Sequence, residues 1–340
     1  MDDLSADNRR EVKTAESVDV QASDQMDLFS DLLLPKNKKS EYSNTIDIYD
    51  AIPKYVWSKT REHEDLKSAT ITRTCTIRGR KLTVKLKPAI IDKGESVVLI
   101  YPGQREEIVE DALRKIAVNG QGRYVNGKAG VEFSIYSLLK ELERMGHSYS
   151  FEEVRESLFV CRGSVLECYS EDGESVINSN LFGLLALASK KDVQNKQSSK
   201  CYVQFNHLVN ESIMGLTFRQ YNYQVGMRIR SPLARFVYKR MAQYWIQASE
   251  ANPYEPSLIS MLEQTPRGAS DNIRANLRAM RNALKVLEEH EVISRYVEEK
   301  VLQGKQKIID VRFKIYPHKK FVEETIDANQ SKKSLLKKTS

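Results

Sequence analysis

The sequence predicts an α+β chain carrying two successive helix–helix–hairpin units. Three observations support this: apolar residues recur at helical spacing in two separate stretches, serine caps and a proline open those helices, and each stretch then switches to period-two alternation. The second unit is the more informative. Ser231-Pro232 opens its first helix, with serine placed to cap and proline at the first helical position. Leu233, Phe236, Val237, Met241, Tyr244 and Ala248 give that helix an apolar stripe. A short helix near Pro256 to Gln264 follows, with Leu258, Met261 and Leu262 inward, and Thr265-Pro266-Arg267-Gly268 stops it.

The next helix, about Ser270 to His290 with a Ser270-Asp271 cap, carries two stripes. Ile273, Leu277, Met280, Leu284 and Leu287 recur at steps of 4, 3, 4 and 3, a period that faces a core. One residue further on, Arg274, Arg278, Arg281 and Lys285 repeat the spacing and line the adjoining face. A helix held by one side with cations along the next suits phosphates and base edges. After Glu291 the period becomes 2. Val292, Ser294 and Tyr296 mark one strand, Gln303-Gly304-Lys305 a turn, and Ile309, Val311, Phe313 and Ile315 a second strand. Helix, helix, turn, basic helix and lysine-tipped hairpin is the order of a winged helix-turn-helix. On that reading Arg274, Arg278, Arg281 and Lys285 enter a major groove, while Arg267, Lys305 and Lys307 hold phosphates.

Phe133 to Met145 and a helix opened by the Ser150/Glu153 capping box give the first unit its pair, with Ile135, Leu138, Leu139, Leu142, Val154, Leu158 and Cys161 inside. A hairpin across Glu171-Asp172-Gly173 closes the unit. Glu152, Glu153 and Glu156 stand at the start of its second helix, so this copy is expected to serve backbone contact or association more than base reading. Ahead of it, Asn44 to Trp57 reads as an ordered lead-in. Strands are expected at Thr70–Ile77, Lys81–Ile90 and Val97–Tyr101, and a helix with Ile108, Ala112, Leu113 and Ile116 inside follows Pro102-Gly103.

The expected divisions are an acidic, disordered tail over 1–44, a first winged-helix domain over 45–195, a second over 196–320 and a frayed basic tail over 321–340, with a polar linker at 190–200. The chain has 340 residues and a formal charge of +7. Residues 1–34 hold three basic and nine acidic side chains, a net −6, which leaves +13 on the remainder and suits a polyanionic partner. No apolar run approaches the roughly 20 residues of a membrane span, and the N-terminus lacks a secretory pattern. A cytoplasmic address with no membrane partner is expected. Cys75, Cys161, Cys168 and Cys201 form no CxxC pair and read as reduced, packed thiols.

Catalytic motifs fail. Gly122 to Ala129 nearly spells a phosphate loop, but alanine replaces the hydroxyl that would hold magnesium, and the segment reads as a flexible glycine loop. A strand-nicking enzyme would need a His-x-His pair, which His63, His147, His207, His290 and His318 do not supply. Tyr221 and Tyr223 are expected in a sheet edge or against DNA sugar. No enzyme activity, metal or cofactor is expected.

Gln25-Met26-Asp27-Leu28-Phe29 concentrates three apolar side chains inside the acidic tail. It resembles the peptide that binds the bacterial sliding clamp, usually Gln-Leu-Ser/Asp-Leu-Phe, with Met26 in place of leucine. That resemblance implies that Gln25 bonds at a pocket rim while Met26, Leu28 and Phe29 supply apolar contact.

Several blocks, Tyr101–Ala117, Phe133–His147 with Tyr149-Ser150, Phe218–Tyr223 and Pro232–Arg240, resemble segments of plasmid replication initiator (Rep) proteins. The likeness runs over about 45–320. It implies two winged helices that bind repeated origin sites (iterons) in double-stranded DNA, promote opening of adjacent duplex and recruit host helicase and initiator proteins. It also implies self-association as a dimer through the first unit. A transcriptional repressor without a replication role is the alternative, and the clamp-like peptide separates the two.

Overall fold

The structure, a computed structural model, describes residues 41–58, 62–63, 68–94, 96–173, 176–188, 200–304 and 306–339. The acidic segment with Gln25, Met26, Leu28 and Phe29 lies outside the described residues, as do Lys305 and all but the last residue of the expected linker. The fold is mixed α and β.

The chain opens with β1 (Tyr42–Thr45), α1 (Asp47–Ala51), β2 (Glu62–His63), β3 (Ile71–Ile77), β4 (Arg80–Lys87), β5 (Ala89–Asp92) and β6 (Val97–Ile100). α2 (Gln104–Ile116) follows, its first turn tied by the Gly103 N–H donating to Glu106 Oε2 at 2.8 Å. β7 (Gly122–Val125) and β8 (Lys128–Phe133) lead to α3 (Ile135–Arg144) and α4 (Phe151–Gly163). The capping box at α4 forms as expected: Glu153 N–H donates to Ser150 Oγ at 3.2 Å and Ser150 N–H to Glu153 Oε2 at 2.8 Å. Then come β9 (Val165–Ser170), β10 (Val176–Asn180), β11 (Phe182–Ala186), β12 (Cys201–Phe205), α5 (His207–Met214), β13 (Arg219–Asn222) and α6 (Tyr223–Arg228). The chain ends with α7 (Pro232–Tyr244), α8 (Leu258–Glu263), α9 (Ile273–Glu289), β14 (Ile293–Gln303), β15 (Lys307–Pro317) and α10 (Lys319–Thr339).

The ladders are antiparallel. Strand orders are β10-β9-β4-β3, β11-β12-β8-β7 and β2-β6-β5, with β1-β13 and β14-β15 as two-stranded pairs. The expected hairpin β9–β10 is thus widened by β4 and β3. Gly122 to Ala129 is no loose loop. Asn126 and Gly127 take φ of 52° and 71°, the left-handed conformations of a tight turn, and join β7 to β8 as a hairpin. The expected frayed tail is also corrected, because α10 docks through Phe321, Thr325 and Ala328, a helical spacing hidden among lysines.

One apolar cluster runs from Tyr42 to Phe321, and α7 lies at its centre with buried residues on nearly every side. Its two buried cations meet α2: Arg235 pairs with Glu107 at 3.3 Å and Lys239 with Asp111 at 2.9 Å. Arg114 of α2 holds both Asp50 oxygens at 2.8 and 2.9 Å and reaches Asp111 at 3.1 Å. Burial pushes the Asp50 carboxyl up, but Arg114, Lys239 and Lys54 outweigh it and hold the group well below the usual carboxylate range. Tyr221 and Tyr223 are buried, so neither meets a nucleic acid. The four cysteines are buried.

Candidate nucleic-acid interface

The amphipathic reading of α9 translates directly into packing. Met280, Ala283, Leu284 and Leu287 are buried and Ile273 and Leu277 pack partly against the core, while Arg274, Arg278, Arg281 and Lys285 are exposed. The helix starts later than expected and its cap is Asn272, not Ser270-Asp271. Asn272 Oδ1 accepts from Arg274 N–H at 3.1 Å and Ala275 N–H at 3.2 Å, and the geometry of the preceding turn explains the shift.

That turn is organised by Asn276, which is fully buried. Its Nδ2 donates to the Ser270 carbonyl at 2.7 Å, and its Oδ1 accepts from Ser270 N–H and Arg267 Nη1, each at 3.1 Å. Arg267 also donates to the Gly268 carbonyl at 3.0 Å. Its guanidinium is exposed yet bent back over its own turn, which fixes how α9 leaves α8. Asn276 was not legible as a hub, because one polar residue within an apolar stripe has no spacing signal.

Four cations share the helix surface, but they are not equivalent. Arg281 makes a two-pronged pair with Glu298 of β14, Nε to Oε1 and Nη2 to Oε2, both 2.7 Å. Among the described residues, no ion pair or hydrogen bond engages the side chains of Arg274, Arg278 or Lys285. The free set is therefore three cations on one exposed face, with the fourth latching the helix to the hairpin. Lys307 stands exposed at the start of β15.

The hairpin is anchored at its base. Tyr254 and Ser257 bridge to Ile315 and Arg312, so the segment between α7 and α8 adds an edge to β15. Asp310 turns inward to accept from Ser257 Oγ at 2.5 Å and Ile259 N–H at 3.1 Å at the start of α8. Glu299 pairs with Lys314 at 2.6 Å.

The corresponding helix of the first unit, α4, is covered. Val160 packs under Ala89 and Ile100 with Ile91 and Val98 beside them, so the β2-β6-β5 sheet lies across the side of α4 away from the main core. Glu156 is taken by Arg105 at 2.5 Å. The edge of the β4–β3 sheet is bolted to the second unit, since Gln264 Nε2 donates to the Thr76 carbonyl at 2.7 Å.

Among the described residues no three His, Cys, Asp or Glu side chains group to hold a metal, and no helix is long and apolar enough to cross a membrane. No protein-family model and no curated protein matches the chain. It is similar in structure to domains 2 and 3 of RctB, at 11% identity and a TM-score of 0.46, over 80% of this chain and 96% of that one. A second RctB domain 2–3 structure gives the same identity and score over 83% and 99%. The Pi initiator protein, solved in complex with iteron DNA, is similar at 11% identity and a TM-score of 0.40, over 63% of this chain and 91% of that one. At such identities and scores these neighbours decide no residue's role here.

Proposed function

We propose that this protein is a replication initiator that binds repeated sites in duplex DNA through tandem winged helix-turn-helix units. In the second unit the order is α7, the bridged segment Tyr254 to Ser257, α8, α9 and the wing β14–β15. In the first it is α2, β8, α3, α4 and β9–β10. The observation that carries the reading is α9: one side buried, and Arg274, Arg278 and Lys285 free on the other between a locked turn and a lysine-bearing wing. An α-helix fits the major groove, and arginine reads guanine there with two donors. Arg267, Lys305 and Lys307 add phosphate contact. The first unit serves association as a dimer and backbone contact.

The resemblance to Rep proteins supports the replication role, with opening of adjacent duplex and recruitment of host helicase and initiator proteins. Gln25, Met26, Leu28 and Phe29 supply a sliding-clamp contact, tested by capture of the clamp on residues 1–44 with Phe29→Ala as control. No reaction is assigned to the chain, and its place is the cytoplasm.

The deciding experiment is whether a plasmid bearing this gene and its flanking repeats replicates, and stops replicating when the gene is removed. For binding, the full chain is offered a random-sequence duplex pool. Enrichment of a sequence, with affinity falling steeply as salt rises, supports the reading. A pool that stays random, or salt-insensitive binding, removes it.

A further inference from the structure

We infer that the tip of the β14–β15 hairpin is a minor-groove wedge, with Leu302 and Ile309 inserted against a base step while α9 occupies the neighbouring major groove. The inference rests on the duplex-binding reading above and assigns a partner surface to residues outside the cationic helix.

The first observation is projection. From Glu299 outward on β14, and as far as Asp310 on β15, none of the described residues is buried. At about 3.4 Å per residue this end of the hairpin extends roughly 15 Å. Two branched apolar side chains sit there in the open, Leu302 at 49% and Ile309 at 45% exposure. Single exposed apolar residues are ordinary on a protein surface, but here the backbone is adjusted around them. Val301 pairs with Asp310 and Leu302 with Ile308, which leaves Ile309 as an extra residue without a partner in the ladder. A bulge of this kind bends the strand and re-aims a side chain.

The second observation is charge. Every acid of the hairpin is committed to the protein: Glu298 to Arg281, Glu299 to Lys314, and Asp310 to Ser257 and the start of α8. The sequence between Glu299 and Asp310 contains only cations, amides, apolar residues and glycine: Lys300, Val301, Leu302, Gln303, Gly304, Lys305, Gln306, Lys307, Ile308 and Ile309. Lys300 and Lys307 are exposed, with no ion pair among the described residues. Lysines and glutamines beside an apolar wedge match what minor-groove binders present: cations for the flanking phosphates, amides for base edges, and leucine or isoleucine between steps. A peptide groove or lipid surface would not require the hairpin's acids to be tied away while its glutamines stay exposed, and duplex DNA is the occupant that this charge pattern favours.

The test uses the full chain and a duplex it has selected from a random pool, labelled at both ends for energy transfer and carrying 2-aminopurine at successive steps beside the α9 contact. The expected result is a bent duplex and a fluorescence rise at one step. The Leu302→Ser, Ile309→Ser double variant straightens the duplex and abolishes that rise. It keeps the salt dependence of binding, and preference for a flexible pyrimidine–purine step falls from about tenfold to near none. Lys307→Ala does the converse, lowering the salt slope by about one while the bend persists. A double variant that bends and unstacks the duplex as the parent does overturns the wedge but leaves duplex binding intact. A chain that selects no duplex removes the underlying reading instead.

Discussion

α4 and α9 hold the same place in their two units, yet one is roofed and the other is bare. Across α4 lies the β2-β6-β5 sheet, so close that a Cβ on Gly163 would sit 2.8 Å from the Ala89 Cβ. Acids crowd its start, and Val160 is fully buried beneath the sheet. α9 buries one side only and leaves arginines and a lysine outward. The order of elements therefore does not decide which copy is left open. The cover and the charge differ: the same helix pair becomes an internal brace when an extra sheet lies on it, and an open cationic surface when none does.

The widest separation between the two helices should come from arginine removal. Arg274→Ala with Arg278→Ala should remove about 2–6 kcal/mol of discrimination between selected and random duplex, at about 1–3 kcal/mol per two-pronged base contact. Arg155→Ala with Arg162→Ala on α4 should change that ratio by no more than about threefold. Competition binding with the two duplexes measures both. Equal losses from the two pairs would mean that α4 reads sequence despite its roof.

A buried ionic seam between α2 and α7 also ties the units together, and it should respond as folding stability. Asp111→Ala strips a partner from both Lys239 and Arg114, and breaking such a buried pair costs about 3–5 kcal/mol. Thermal unfolding measures the loss. Pairing Asp111→Leu with Lys239→Met should recover part of it, because two apolar side chains leave no lone charge behind. Asp50 gives the seam a pH signature. Its folded carboxyl is held below its free value, so its contribution is complete above a pH of about 4 and is lost as pH falls through the lower folded pKa. Asp50→Asn should therefore lower stability at neutral pH and flatten its decline in acid. An unchanged acid limb would move the acid sensitivity elsewhere.

The sequence carried the helices of both units because their apolar steps, their Ser150 and Ser231 caps and Pro232 are local signals. It carried the cationic face of α9 for the same reason, since a three-and-four repeat of arginine survives whatever packs around it. It did not carry the roof over α4. That depends on a contact between Ala89 and Gly163, far apart in the chain, and neither small residue announces a close approach. Nor did it carry the fate of each cation. Arg281 and Glu298 stand 17 positions apart on a helix and a strand, and only the hairpin's register brings them together. The helical spacing of Glu107 with Asp111 and of Arg235 with Lys239 was visible, but their pairing needed the crossing of two helices. The residues of α10 mislead because the lysines of 332–338 mask Phe321, Thr325 and Ala328.

Two smaller effects sharpen the contrast. Gly163→Val should press the β2-β6-β5 sheet off α4, at about 1–3 kcal/mol for overpacking, measured by denaturant unfolding. The preference for selected over random duplex should stay where it was, since α9 does not rest on that sheet.

The smallest effect concerns the one cation of α9 that the protein keeps for itself. Glu298→Ala removes a half-exposed ion pair, so folding stability should change by less than about 1 kcal/mol. Arg281 is then free to join Arg274, Arg278 and Lys285. Affinity for random duplex should rise a few-fold, and the salt slope should steepen by up to about one phosphate contact. Specificity should narrow, because the gain falls on every sequence alike while selected contacts are unchanged. In the parent chain Arg281→Ala should then cost less affinity than Arg278→Ala. Should the two cost the same, the Arg281–Glu298 pair must open when DNA arrives, and Glu298 would be a latch that the duplex displaces, not a mask that limits how many cations α9 presents.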